Sequence, residues 1–165
     1  MRTKHYKSWS GLNKQLQDCL CKALKERVTY FLTRYHEVHN AYGRATIRVD
    51  GRELVNFSWT EMYQKDADYY ESWKKTGEWG DTPELIEKWN QEGIVSDWDF
   101  LEAATEFLQM NIRDALESEN YLIRVFAIMD RRVGERTLAR YRKSKEYMTY
   151  PQWVRQFYEL RLTLH

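Results

Sequence analysis

Within residues 121–138, YLIRVFAIMDRRVGERTL, the apolar positions cease to keep to one face. Leu122, Ile123, Val125, Phe126, Ile128 and Met129 cover most of a helix's circumference, which predicts a helix buried against several neighbours. The run changes at once into Asp130-Arg131-Arg132, and Gly134 is expected to stop the helix. Elsewhere the pattern is one-sided. Ser10 is expected to cap a first helix reaching about Leu24, with Leu12, Leu16, Leu20 and Ala23 inward. Residues 27–36 are rich in β-branched and aromatic side chains and predict a strand. In residues 44–50, Ala45, Ile47 and Val49 alternate with Arg44, Thr46 and Arg48, giving a second strand one apolar and one polar face. Asp50-Gly51 is a hairpin signal, because Gly accepts the positive φ of a type I′ turn, and residues 53–57 return as a third strand.

The rest reads as helical. Ser58-Trp59-Thr60-Glu61 has the form of a capping box opening a helix to about Lys75, with Met62, Tyr63, Tyr69, Tyr70 and Trp73 on its aromatic face. Thr82-Pro83 starts a short helix that turns Leu85, Ile86 and Trp89 inward and ends at Gly93. Ser96 is expected to cap a helix running to about Glu117, burying Leu101, Ala104, Leu108, Ile112 and Ala115 or Leu116. The central helix begins near Asn120, a basic helix covers 135–145, and Tyr150-Pro151 starts a last one with Trp153, Phe157, Leu160 and Leu164 on one side. The fold class predicted is α+β. An N-terminal helix lies on a three-stranded antiparallel sheet (1–58), and a mostly helical part (59–165) follows within a single domain of residues 1–165.

Composition adds two things. Seven Trp and twelve Tyr let large rings build a core in a polar sequence. No run approaches the length of a membrane span, and the basic N-terminus lacks the apolar stretch of a signal peptide, so a soluble cytoplasmic protein without membrane contact is expected. Cys19 and Cys21 diverge on a predicted helix, which disfavours a mutual disulfide and suits a reducing compartment.

Net charge is only +1, yet it is segregated. Residues 1–58 carry eleven Lys and Arg against five Asp and Glu, residues 59–120 five against sixteen, and residues 121–165 ten against four. The segments therefore stand at +6, −11 and +6. Either the segments neutralise one another on packing, or at least one presents its charge to a partner.

Candidate chemistry narrows to charge. Cys19, Cys21, His36 and His39 lack zinc-turn spacing, being C-x-C rather than C-x2–4-C, so no metal and no cofactor are expected. There is no G-x-S-x-G elbow, and Gly77 and Gly80 sit among acidic residues, unlike a phosphate loop. The best cluster is Asp130 with Arg131, Arg132, Arg136 and Arg140. Arg131 and Arg132 close one helix, where cations favour the negative dipole end, and Arg136 and Arg140 lie one turn apart on the next. A purely structural role competes, in which Asp130 and Glu135 hold the arginines to lock the corner. The functional role is an anion or acidic-partner site, since guanidinium forks match carboxylate and phosphate. On the acidic segment, Glu84, Glu87, Glu102 and Glu106 fall away from the apolar stripes and offer a surface to a basic partner.

Two stretches carry a resemblance. Ser8-Trp9-Ser10-Gly11-Leu12 with Lys14-Gln15-Leu16 and GRATIRVDGRELVNF form one, and IRVFAIMDRRVGERTL with the closing PQWVRQFYELRL the other. Together they resemble a family of small bacterial proteins in which a basic-Gly-basic turn follows the apolar helix. The resemblance implies a bacterial, cytoplasmic protein and brings no reaction and no catalytic residues. Glu135 stands where that family is expected to carry a basic residue. The α-β-β-β-α order also resembles the double-stranded RNA-binding fold, in order alone. That family's phosphate-gripping basic helix start has no counterpart in Trp59-Thr60-Glu61, whose acidity opposes phosphate.

The sequence thus predicts a non-enzymatic module that binds another protein, an inhibitor or immunity-type role being one form of it. Nucleic-acid binding through the basic N- and C-terminal segments is the alternative.

Overall fold

The computed structural model describes residues 8–34, 43–58, 67–77 and 82–163. It is α+β, with an N-terminal helix, a three-stranded antiparallel sheet and a mostly helical remainder, as predicted. Helix α1 (Trp9–Cys19) starts at Ser8, whose hydroxyl accepts from the Gly11 amide at 3.2 Å. The expected cap was Ser10 and the expected end Leu24. The shorter helix stops because residues 19–21 pair with residues 129–131. Leu24 is consequently inward while Ala23 is exposed.

Strands β1 (Val28–Arg34), β2 (Gly43–Val49) and β3 (Arg52–Ser58) lie in the order 1-2-3. The hairpin turn has Asp50 at φ 51° and Gly51 at φ 77°, the two positive values that a type I′ turn requires. Asp50 is also tied to Arg27 by two side-chain hydrogen bonds of 2.9 and 2.7 Å. The alternation in β2 holds for Ala45 and Ile47, which are buried. Thr46, expected on a polar face, is fully buried as well. It sits opposite Phe31 and Asn56, and the Arg44 and Arg48 guanidiniums lie 6.0 and 4.4 Å from the Phe31 ring centre.

Helix α2 (Ala67–Thr76) follows; the predicted capping box at residues 58–61, with Met62 and Tyr63, falls on or beyond the edge of the described residues. Helix α3 (Pro83–Glu92) has the Thr82 cap and the Gly93 stop that its sequence predicts. The expected helix 97–117 is two helices, α4 (Asp97–Phe107) and α5 (Ile112–Leu116). Asn111 breaks it, because its side chain accepts from the Arg113 amide at 2.8 Å and starts a new helix. Next come α6 (Tyr121–Met129), α7 (Glu135–Arg142), a 3-10 turn (Glu146–Thr149) and α8 (Gln152–Leu162).

Helix α4 bridges the two parts, packing on β2, β3 and α1 with one side and on α6 with another. Helix α6 also meets α5 and α8, which accounts for apolar residues around its whole circumference. Phe126 and Ile128 are buried as expected. Phe126 stands 5.5 Å from Phe100, 5.5 Å from Phe107 and 5.9 Å from Tyr30, ring centre to ring centre. One buried cluster therefore runs from α1 and the sheet through α4 and α6 to α8. No described helix is long and apolar enough to cross a membrane.

Candidate functional site

The corner between α6 and α7 is built by two arginines acting on one short turn. Helix α6 ends at Asp130, which adopts extended backbone and pairs with Leu20 in an isolated antiparallel bridge. The Cys21 amide donates to the Met129 carbonyl at 2.9 Å, and the Arg131 amide to the Cys19 carbonyl at 2.8 Å. Gly134 therefore does not stop α6, as its position predicts. It lies at φ −81° and is the N-cap of α7.

Asp130 is completely buried. Its carboxylate accepts from the Arg132 amide at 2.7 Å, from Nε at 2.9 Å and from Nη2 at 2.8 Å. A fully buried carboxylate needs such compensation, and the charge-assisted fork supplies it. The same bonds hold the Arg132 guanidinium above its ordinary pKa. Beneath the turn lies Arg161 of α8, only 5% exposed. It donates from Nε to the Ile128 carbonyl at 2.8 Å, from Nη2 to the Val133 carbonyl at 2.5 Å and from Nη1 to Cys21 Sγ at 3.1 Å. It thus satisfies the Ile128 carbonyl, which the end of α6 leaves without a helical partner, and the Val133 carbonyl just before α7. Half-buried Cys19 stands at the same bridge, where burial, and then the Asp130 charge, push its thiol pKa up.

Outside the turn, α5 and α7 flank an open cleft of about 380 Å³. Ile112, Leu116 and Val133 give it apolar walls, and Arg113, Arg132 and Arg140 give it cations. Thr137, Tyr141 and Glu117 complete the lining. Glu117 is occupied, accepting from the Tyr141 hydroxyl at 2.9 Å and lying 3.9 Å from Arg113 Nε. Burial, and then this bond to Glu117, raise the Tyr141 pKa and keep its proton in place.

Of the predicted cluster, Arg132 and Arg140 meet in this cleft, while Arg131 and Arg136 are exposed outside its lining. The structural role expected of Asp130 is real, but only towards Arg132. Among the described residues no carboxylate pairs with Arg131, Arg136 or Arg140, and Glu135 holds none of the arginines. The acidic candidates Glu84, Glu87, Glu102 and Glu106 are all exposed on α3 and α4 and do not line the cleft. Glu87 accepts from Gln91 at 3.0 Å. His36 and His39 lie outside the described residues.

Sequence reading did not single out Arg113, which belongs to the acidic segment, or Arg161. For Arg161 the signal exists, since Val154, Phe157, Tyr158 and Arg161 are spaced i, i+3, i+4, i+7 and are all buried. The expected stripe followed the apolar letters Trp153, Phe157 and Leu160 instead and so lay to one side of the true face.

No curated protein and no solved structure matches the chain. Residues 8–162 match the model of the SF0329 protein family, a span that includes both α1 and the arginine corner, and the chain belongs to that family.

Proposed function

We propose that the chain is a non-enzymatic protein-binding module whose contact surface is the arginine corner, taking an acidic segment of a partner. The observation that carries this reading is the distribution of ion pairs. Every ion pair among the described residues joins two residues of the same charge segment. Arg27 pairs with Asp50, Arg44 and Arg48 with Glu53, Arg113 with Glu117, Arg142 with Glu159. No ion pair among the described residues joins a basic segment to the acidic one, which favours charge presented to a partner that it steers and orients. Arg131, Arg136 and Arg140 are the cations most available for that, and Glu84, Glu87 and Glu106 give the acidic face a separate role in orientation.

Nucleic acid would use the same arginines through phosphate, but strong single-strand binding also draws on exposed stacking rings. The rings at this corner do not provide them. Phe107 is buried beneath Arg132, and Tyr141 is half-buried with its hydroxyl bound.

Affinity capture from nuclease-treated lysate of the native cell tests the reading, with an Arg131→Ala/Arg136→Ala/Arg140→Ala variant alongside. A protein bearing an acidic segment should be retained by the wild type and depleted at least tenfold on the variant. Retention of the same proteins by both, or binding of labelled RNA or DNA at physiological salt that the variant abolishes, would overturn it.

A further inference from the structure

The protein-binding reading sets an acidic segment of a partner at the corner, and the cleft there narrows which side chains that segment carries. Resting on that reading, we infer that the α5–α7 cleft takes an acidic side chain together with a neighbouring aliphatic side chain from an extended segment of the partner. Two properties of the cleft carry this.

The first is the state of its cations. Arg132 spends Nε and Nη2 on Asp130 and keeps Nη1 without a protein partner among the described residues. Because the buried carboxylate already fixes this guanidinium, little side-chain entropy remains to be lost when an anion arrives. Arg140 is exposed and pairs with no carboxylate among the described residues, so it can close over an anion held by Arg132. Arg113 is the third cation, with its side chain 83% exposed and only a 3.9 Å approach to Glu117. The one carboxylate of the lining is already held by Tyr141. The charge balance of the cleft is therefore set for a carboxylate supplied from outside.

The second property is the apolar wall. Ile112 is half-buried and carries the accessible apolar surface of the cleft, and Leu116 and Val133, both buried, form the floor behind it. An inorganic anion would leave this surface wet. A Leu or Ile beside the acidic residue would cover it, and burial of apolar area adds affinity that charge alone does not give. A volume of about 380 Å³ is at the small end of ligand-sized pockets, enough for two side chains and too little for a folded element.

Fluorescence anisotropy on the full chain tests this with three labelled probes, Glu-Leu-Glu-Leu-Glu-Leu, hexaglutamate and hexauridylate, at about 150 mM salt. The mixed peptide should bind at least tenfold more tightly than either other probe. Thr137→Trp, which fills the cleft without removing charge, and Arg140→Glu, at an exposed position, should each weaken it at least tenfold. Lys143→Ala/Lys145→Ala, exposed and outside the lining, should change it less than threefold. Equal binding of hexaglutamate or hexauridylate, or no binding of the mixed peptide, would overturn the inference. So would loss of binding in Arg131→Ala/Arg136→Ala with Thr137→Trp and Arg140→Glu unaffected. That last pattern would leave the arginine corner standing as a protein contact and remove only the cleft.

Discussion

Phe126→Ala is expected to lower the free energy of unfolding by about 3–5 kcal/mol, the range for truncating a buried ring that leaves a cavity. Phe126 is 2% exposed and is surrounded by Phe100, Phe107 and Tyr30 within 6 Å, centre to centre. These neighbouring rings come from two other elements, α4 and β1, so no single side chain can swing in to fill the space. Urea unfolding with a two-state fit measures the effect. A loss below about 1 kcal/mol would show that α6 is not the core around which α4 and the sheet assemble.

Arg161→Met should cost about 2–5 kcal/mol, since it strands two buried carbonyls at roughly 1–3 kcal/mol each. Met keeps most of the aliphatic stem, so the loss reports hydrogen bonding more than volume. The carbonyls of Ile128 and Val133 belong to the two sides of the corner turn, and Arg161 is the side chain that bridges them. The same urea titration should show Arg131→Met, exposed on the other side of that turn, within about 0.5 kcal/mol of wild type. Wild-type stability in Arg161→Met would mean that the corner holds itself through Asp130 and Arg132 alone.

Apart from the first cap, which is Ser8 and not Ser10, the start and turn signals stand where the local sequence puts them, whereas long-range contacts were not legible. The Asp50-Gly51 turn, the Thr82 cap, the Gly93 stop and the Ser96 cap depend on neighbours within four residues, and each stands where the sequence places it. The end of α1 depends on residues 129–131, more than a hundred positions away, and no local feature near Leu20 announces it. Gly134 was misassigned because glycine serves either end of a helix, and the buried Asp130 bridge decides which. The break at Asn111 was legible, since Asn is a good N-cap, but the apolar spacing through Leu108 and Ile112 masked it.

Buried cations form the other gap. Arg124 lies within the most apolar helix and is 8% exposed. It donates from Nε and Nη2 to the Ser118 carbonyl at 3.1 and 2.9 Å, and its guanidinium stacks 4.4 Å from the Tyr150 ring centre. Like Arg161, it is buried because backbone carbonyls and a neighbouring side chain replace water, and sequence alone does not show such partners. The candidate site was half legible for the same reason. Arg132 and Arg140 were recognisable as a cluster, whereas Arg113 joins them only because α5 is a separate short helix set against α7.

With the arginine corner as the proposed contact surface, amide hydrogen exchange of the full chain is the most direct test. With saturating Glu-Leu-Glu-Leu-Glu-Leu, exchange should slow in residues 111–118 and 131–142 and remain unchanged in residues 43–58. Slowing confined to the sheet or to the acidic helices α3 and α4, with the corner unchanged, would contradict it.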